Sequence, residues 1–190
     1  MLVAYGEFRN AFEKDATDTR IVFYGIRYII ENYIAVKWTE ADVRQAQLFF
    51  STHLAGAAPF PFPLDLFLKF IAEKNGYFPV RIEALPEGSV IYPHVPVYQI
   101  TAEKEYARLV TYLETLLTMI WYPCTVATLS RRCRTYIEAS FAKTVDPENA
   151  WLLERFFIFD FSYNSRLHDF GFRGCTSVEQ SIIGGVSHLV

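Results

Sequence analysis

Residues Leu167–Gly174 read Leu-His-Asp-Phe-Gly-Phe-Arg-Gly, which combines a histidine, an aspartate, two aromatic rings, two glycines and an arginine. This stretch is followed closely by Thr176–Glu179, which has the Thr-x-x-Glu spacing of a capping box, and then by an apolar run. In such a box the first side chain accepts a hydrogen bond from a free N–H of the first helical turn. We therefore predict a loop that ends at a helix N-terminus, where unpaired N–H groups and the helix dipole favour an anion.

The side chains of this loop suit a flat, polar ligand. Phe170 and Phe172 offer aromatic faces, and Arg173 offers a planar set of donors for phosphate or an amide oxygen. Gly171 and Gly174 permit positive φ and a close approach of the ligand to the backbone. The competing interpretation is structural. In a chain with 17 phenylalanines, aromatic residues usually belong to the core, and Asp-Phe-Gly before a helix can be simple turn chemistry.

Length and composition limit the class of protein. The 190 residues suit one domain, or one domain plus the start of another, and a hydrophobic content of 52% can fill a core. The net charge of −3 gives no electrostatic footprint for nucleic acid. No uncharged apolar run reaches the length that crosses a bilayer, about 18 residues, and the N-terminus lacks the pattern of a secretory signal. We therefore expect a cytoplasmic protein without nucleic-acid or membrane partners.

The cysteines and histidines do not indicate a metal centre. The cysteines are odd in number and form no Cys-x-x-Cys pair, which argues against a disulfide framework or a zinc site and suits a reducing compartment: Cys124, Cys133 and Cys175. The histidines are scattered without ligand spacing: His53, His94, His168 and His188. We predict a structural or surface role for all of them except His168, and no metal ligands in this chain.

The first half of the chain is predicted to be mainly helical. Turn and cap residues at Asp15–Asp18 precede a helical apolar pattern, and acidic residues mark the first turn of a second helix. The predicted elements are a short strand over 1–10, helices over 21–36, 39–54 and 64–73, a helix-incompatible connector over 55–63, and a stop at Asn75-Gly76.

The second half is predicted to begin with extended structure and to continue with helices. Residues 79–101 suggest two short strands around Pro86–Gly88, with Pro93 and Pro96 confining part of the second strand to an edge or bulge. The further predicted elements are helices over 105–120, 125–143 and 147–157, with Trp121-Tyr122-Pro123 ending the first, and a buried strand over 158–161. Three arginines in the second of these helices form either a solvated face or an anion site: Arg131, Arg132 and Arg134.

Several segments together resemble the nicotinamide phosphoribosyltransferases, which are dimeric type II phosphoribosyltransferases. Leu167–Gly174 is similar to that family's Leu-His-Asp-Phe-Gly-Tyr-Arg-Gly, with Phe172 in place of tyrosine. Further segments match in the same order along nearly the whole chain: Val22–Gly25, Pro86–Gly88, Glu114-Thr115, Trp121–Pro123, Thr125–Thr128, Ser177, Glu179 and Ser187–Val190. Pro86–Gly88 is shared with nicotinate phosphoribosyltransferases as well.

The resemblance implies an α/β fold in two parts. A helical domain with a small β-sheet is expected over residues 1–150, and the first elements of an irregular α/β barrel over 151–190. Residues 181–190 stay apolar to the last position, so we expect a truncated chain.

The resemblance also implies roles for individual residues. Phe170 corresponds to the aromatic residue that stacks on one face of nicotinamide, and Arg173 to an arginine at the amide and phosphoribosyl side. His168 and Asp169 correspond to residues at a tunnel leading away from the ring, where Ser165 replaces a lining aromatic residue. Arg9, in Tyr5–Arg9, corresponds to an arginine that reaches the phosphates across a homodimer interface.

Part of the family's site has no counterpart here. The N-terminal Asp-Ser-Tyr-Lys motif is absent, and the catalytic histidine and ribose-binding acids lie beyond the match to Val190. We therefore expect a pentosyl transferase that makes nicotinamide mononucleotide from nicotinamide and phosphoribosyl pyrophosphate, present as a portion that is inactive alone. No tightly bound cofactor is expected, and Mg²⁺ is expected to accompany phosphoribosyl pyrophosphate. The alternatives are a nicotinate-specific enzyme and a non-catalytic pyridine-binding or regulatory subunit.

Overall fold

A computed structural model describes residues 1–11, 17–149, 151 and 167–190. The chain forms two compact units, which are described separately. The first unit comprises Met1–Gly6, Ile26–Ala84 and Pro96–Met119, and the second comprises Glu7–Gly25, Leu85–Val95 and Ile120–Val190.

The described residues form short strands and mostly short helices. The strands are β1 (Leu2–Glu7), β2 (Ile21–Val22), β3 (Leu54–Ala55), β4 (Ala58–Pro59), β5 (Val80–Ala84), β6 (Val90–Ile91) and β7 (Pro96–Ala102). The helices are α1 (Ile26–Ile29), α2 (Glu40–Ser51), α3 (Leu64–Glu73), α4 (Arg108–Thr118), α5 (Trp121–Thr144) and α6 (Val178–Ser187). A π-helical turn over Ile30–Ile34 extends α1, and 3₁₀ turns cover Lys104–Ala107, Pro147–Asn149 and Gly171–Gly174.

The first unit is built on an open three-stranded sheet in the order β1-β7-β5. Strands β5 and β7 pair antiparallel, from Val80 opposite Ala102 to Ala84 opposite Tyr98. Helix α4 packs on β7 through a 3.6-residue apolar pattern, and its inward residues Leu109, Leu113 and Leu117 are buried. A cluster of rings closes this core: Trp38, Phe67, Phe70, Phe78 and Tyr112.

The helix predicted over 21–36 is wrong at its start. Ile21 and Val22 form β2, which pairs antiparallel with β6 through Ile91 and Val90. The helix begins only at Ile26, because Gly25 has φ +99°, a left-handed conformation that interrupts a right-handed helix. The buried apolar residues Ile21 and Val22 therefore belong to a strand and not to the helix.

Helix α2 begins where the sequence predicts and ends earlier. Thr39 is its N-cap: the Thr39 N–H donates to Asp42 Oδ2 at 2.8 Å, and Asp42 N–H donates to Thr39 Oγ1 at 3.4 Å. The helix ends at Ser51, and the predicted connector includes the hairpin β3–β4, with Leu54 paired to Pro59. Gly56, at φ +71°, supplies the left-handed residue that this tight turn needs. Helix α3 matches its predicted bounds, and Asn75 and Gly76 both have positive φ after its end.

The two strands predicted around Pro86–Gly88 are present as β5 and β6, but the prediction of one continuous second strand up to residue 101 is wrong. Strand β5 pairs with β7, while β6 pairs with β2 in another sheet. A turn over residues 92–95 separates β6 from β7, and His94 within it has φ +63°. Pro96 is the first residue of the central strand β7, a position that tolerates a residue without an N–H group, so the predicted edge position is also wrong.

Trp121–Pro123 mark a helix boundary as predicted, because α4 ends at Thr118, but these residues begin the next helix instead of terminating the first. Helix α5 begins at Trp121, so Pro123 lies in its first turn, where the missing N–H would have had no helical partner. The helix predicted over 105–120 is a 3₁₀ turn followed by α4.

The observed fold confirms the class with helices and small sheets. All sheets formed by the described residues are open, and no helix among these residues combines the length and apolarity needed to cross a membrane. Residues 147–149 form a 3₁₀ turn, while most of the helix predicted to 157, the strand over 158–161, Asp15 and Ser165 lie outside the described residues. The division at residue 150 and the barrel stay predictions.

Candidate functional site

Helix α5 holds residues 22–24 of the second unit through two side chains that lie one helical turn apart. Thr128 Oγ1 accepts from the Val22 N–H at 3.0 Å and donates to Cys124 O at 2.7 Å. Cys124 Sγ donates to Tyr24 O at 3.1 Å and accepts from Tyr24 N at 3.2 Å. Burial raises the pKa of the Cys124 thiol to about 12, which keeps its hydrogen on sulfur as a donor. Strand β2 is therefore held against α5 by side chains.

Helix α6 packs on α5 at a glycine. Gly184 is buried, and a Cβ atom at this position would lie 2.8 Å from Tyr122 Oη, closer than non-bonded atoms approach. The neighbouring Gly185 faces open space. The missing side chain at Gly184 thus sets how closely α6 approaches the first turn of α5, and α6 carries the end of the Leu167–Gly174 loop.

The N-terminus of α6 is capped one residue later than predicted. Ser177 is the N-cap, and its Oγ accepts from Gln180 N–H at 3.0 Å. Gln180 Oε1 in turn accepts from Thr176 N at 2.7 Å and Thr176 Oγ1 at 2.9 Å. The predicted pairing of Thr176 with Glu179 is therefore wrong, because Thr-Ser offers two adjacent cap residues and the structure uses the second. The prediction that the loop ends at a helix N-terminus is confirmed.

Asp169 organises the centre of the loop. Its Oδ1 accepts from Gly171 N–H at 2.6 Å, and its Oδ2 lies 3.1 Å from His188 Nε2, at the C-terminal end of α6. The Gly171 N–H lowers the pKa of Asp169 most, His188 lowers it further, and partial burial opposes both. Asp169 is thus a carboxylate with one oxygen on the backbone of Gly171 and the other on the side chain of His188.

A second connection joins the loop to α5. Cys175 Sγ donates to Gly171 O at 3.2 Å, and it lies 3.6 Å from Tyr122 Oη. Burial, together with the contact to Cys175, raises the pKa of Tyr122 to about 12. Gly171 is therefore held through its N–H by Asp169 and through its carbonyl oxygen by Cys175.

Phe170 and Phe172 project from this fixed backbone into solvent. They are 71% and 66% exposed, so the interpretation of these two rings as core residues is wrong. Arg173 Cζ lies 5.9 Å from the centroid of the Phe170 ring, within the range of a cation–π contact. Within the described part of the chain, Arg173 has no ion pair, so its N–H donors are available to a ligand.

The other predicted site residues are not joined to this pair. His168 is exposed and has no hydrogen-bond partner among the described residues. Arg9 is exposed, and no hydrogen bond or ion pair among the same residues links it to the loop. His94 fixes the segment before Arg9, because its N–H donates to Phe8 O at 2.8 Å and its ring lies 3.2 Å from Glu7 Oε1.

The arginines of α5 do not all behave as predicted. Arg134 pairs with Glu138 on an exposed face, whereas the Arg132 side chain is only 11% exposed and binds both the carboxylate and the backbone oxygen of Asp18. Asp18 also binds Arg20, and this contact, ahead of Arg132, lowers the pKa of Asp18 strongly. A cavity of about 30 Å³ lies between these groups. A solvated face is therefore the wrong description for Arg132. Its charge is neutralised by the carboxylate of Asp18, which is far away in the sequence but in direct contact with it.

The described residues contain no group of three or more His, Cys, Asp or Glu side chains placed to hold a metal ion. The structure thus brings together Phe170, Arg173 and Asp169, and adds three residues that the sequence analysis did not assign to the site: His188, Tyr122 and Cys175. Local spacing could not reveal His188 or Tyr122, because their contacts cross 19 and 53 residues, whereas Cys175 binds Gly171 only four residues away.

Known proteins similar to this chain match most of its length. A nicotinamide phosphoribosyltransferase of Xanthomonas campestris pv. campestris (strain 8004) is 32% identical over 169 residues, which is 88% of this chain and 33% of that protein. One from Acinetobacter baylyi is 27% identical over 178 residues, which is 90% of this chain and 33% of that protein. This chain belongs to the nicotinamide phosphoribosyltransferase family. It spans about one third of the length of these relatives.

The chain was also compared with protein-family models and with solved structures. No protein-family model matches the chain. The crystal structure of human nicotinic acid phosphoribosyltransferase is 26% identical, with a TM-score of 0.48, and the match covers 68% of this chain and 23% of that one.

Proposed function

We propose that this chain supplies the ring-binding loop for phosphoribosyl transfer to nicotinamide. The products are nicotinamide mononucleotide, an intermediate of NAD synthesis, and pyrophosphate. The observation that carries the proposal is the solvent-exposed Phe170 ring beside the Arg173 guanidinium, which forms no ion pair with the residues that the structure describes. Relatives named for this activity support it across 88% of the chain.

The reaction depends mainly on orientation. The nicotinamide ring nitrogen forms a bond to the anomeric carbon of phosphoribosyl pyrophosphate, and the carbon–oxygen bond to pyrophosphate breaks with its electron pair on oxygen. Holding the ring and the sugar in line converts a bimolecular encounter into a step within one complex. We assign ring stacking to Phe170 and contact with the amide and phosphoribosyl side to Arg173. The exposed Arg9 would stabilise charge on the phosphates, from the second subunit of a homodimer.

Mg²⁺ would neutralise charge on the departing pyrophosphate, and we propose that it arrives with phosphoribosyl pyrophosphate. The described residues offer it no ligand cluster, so the contributions assigned to this chain are ring placement and phosphate contact. We propose that the 190 residues alone form no nicotinamide mononucleotide, because they match only one third of the relatives' length. Product formation by the purified chain would contradict this part of the proposal.

The ring site is tested by titrating the chain with nicotinamide and following amide resonances of residues 167–176. Replacing Phe170 with alanine removes the stacking face, so we expect the resonance changes to disappear. Phe172→Ala is the matched control, since it deletes an equally exposed ring two positions away and leaves the Phe170 face in place. Unchanged nicotinamide affinity in Phe170→Ala would mean that the ring binds elsewhere.

A second candidate function is phosphoribosyl transfer to nicotinate. It is favoured by Arg173, whose positive charge has no ion-pair partner among the described residues and would suit the nicotinate carboxylate. Titration with both compounds separates the two. Stronger nicotinate binding that is lost in Arg173→Gln supports this alternative, and equal or stronger nicotinamide binding supports the first proposal. A stable chain that binds a pyridine without turnover in any complex would instead indicate a non-catalytic binding subunit.

A further inference from the structure

The backbone around Phe170 is held by a side chain from the far end of α6. His188 follows the last helical residue, Ser187, and its Nε2 lies 3.1 Å from Asp169 Oδ2. The other oxygen of the same carboxylate accepts from Gly171 N–H at 2.6 Å. Phe170 lies between Asp169 and Gly171 in the chain, so the carboxylate links the residue before the exposed ring to the residue after it and to the end of α6.

The surroundings of the histidine require a definite hydrogen position. The His188 side chain is only 12% exposed, and its Nδ1 atom is buried without a hydrogen-bond partner in the described structure. Because Asp169 Oδ2 can only accept, the hydrogen between the two side chains belongs to His188 Nε2. A neutral ring with its hydrogen on Nε2 leaves only a lone pair on the buried Nδ1, which avoids burying an unpaired donor.

We propose that His188 is a positioning residue for the Phe170–Arg173 pair: it orients the Asp169 carboxylate, and the carboxylate fixes the loop backbone through Gly171. The consequence for ring binding rests on the proposed function, whereas the effect on the loop does not. Among the described residues no hydrogen bond, ion pair or ring contact joins His188 to Phe170 or Arg173, so we assign its effect on the ring site to Asp169.

Two conservative replacements separate this role from general packing. Glutamine places an amide N–H at about the reach of histidine Nε2, whereas asparagine is shorter and reaches only the Nδ1 position. In His188→Asn we expect hydrogen exchange at Gly171 N–H to accelerate about tenfold, as for the loss of one hydrogen bond to a charged group. In His188→Gln the exchange rate should return to that of the unchanged chain.

Nicotinamide titration of the same variants connects the loop to the ring site. The apparent affinity should fall about tenfold in His188→Asn and recover in His188→Gln. Leu189→Ala is the control, because it shortens an exposed neighbour of His188 and leaves the Asp169 contact in place. If Leu189→Ala accelerates exchange at Gly171 as much as His188→Asn does, fraying of the helix end explains both results and the proposal fails.

One measurement on the unchanged chain and one on a folded variant decide the role of His188. Nitrogen NMR should show a hydrogen on His188 Nε2, and its absence would overturn the proposal even if the variants do not fold. An unchanged Gly171 exchange rate in folded His188→Asn would overturn it as well. If the unchanged chain binds no nicotinamide, the proposed function fails, while the exchange comparison still decides the role of His188.

Discussion

Thr128 shows how much a single hydroxyl group contributes in this chain. It is 3% exposed, accepts from the N–H of Val22 and donates to Cys124 O. Strand β2 is only two residues long, so this contact replaces hydrogen bonds that a longer strand would form with neighbouring strands. The hydroxyl group of Thr128 in α5 therefore satisfies a backbone N–H group of strand β2.

Replacing Thr128 with valine keeps the shape of the side chain and leaves the Val22 N–H buried without an acceptor. We expect the free energy of unfolding to fall by about 1–3 kcal/mol, the cost of an unsatisfied buried donor. Urea denaturation measures this change. Thr125→Val is the matched control, because the Thr125 hydroxyl binds only Trp121 O within its own helix. Equal effects of the two variants would show that the bond to Val22 contributes nothing.

At the level of elements, Gly184 sets the spacing between α5 and α6. A methyl group there would meet Tyr122 Oη at 2.8 Å, whereas one at Gly185 would meet nothing within 4 Å. Both glycines lie in the last turns of α6, where alanine is otherwise the better helix former. Their opposite surroundings make them a natural pair for comparison.

We expect Gly184→Ala to destabilise the chain by about 1–3 kcal/mol through overpacking, and Gly185→Ala to stabilise it by about 0.5–1 kcal/mol through helix propensity. Thermal unfolding measures both. Adding Tyr122→Phe to Gly184→Ala removes the obstructing hydroxyl and should restore part of the loss. Identical effects of the two glycine variants would contradict the close approach of α6 to Tyr122.

Elements controlled by local sequence were predictable, and those controlled by distant partners were not. Helix α3 and the start of α2 depend on residues within a few positions, and both match the prediction. Strand β2 pairs with a strand about 70 positions later, and α5 places Pro123 in a first turn that the sequence suggested as a stop. In the candidate site, Phe170 and Arg173 were suggested by their chemistry and by the family motif, and their role in binding a ring stays a prediction. His188 was not suggested, because its role depends on α6 returning its end to Asp169.

At the scale of the whole molecule, the shifted groups define a pH range of stability. The pKa values of Asp18, Asp42, Glu105 and Asp169 are lowered by hydrogen bonds in the folded state. Their contribution is complete above the unfolded pKa, about 4, and is lost as pH falls through the lower folded values. The pKa values of Tyr106, Tyr122 and Cys124 are raised to about 12, chiefly by burial. Their contribution is complete below the unfolded values, about 8.5 to 10, and is lost as pH rises towards 12.

We therefore expect a plateau in the free energy of unfolding between about pH 5 and 8, with a fall on either side. Urea midpoints measured across pH at constant ionic strength test this. Asp18→Asn should flatten the acid side, because it removes the carboxylate shared by Arg20 and Arg132. An acid side that is equally steep in Asp18→Asn would contradict the assignment.

The burial of Cys124 has a practical consequence for labelling. A thiol must ionise and meet the reagent to react, and Cys124 is completely enclosed with its hydrogen retained well above neutral pH. Cys133 and Cys175 are both partly accessible. Replacing Cys133 with serine would therefore leave two cysteines, of which only Cys175 would react. A fluorophore attached there would sit directly beside the Phe170 loop and would replace the thiol hydrogen that Cys175 donates to Gly171 O, so it would show how the loop behaves without that bond.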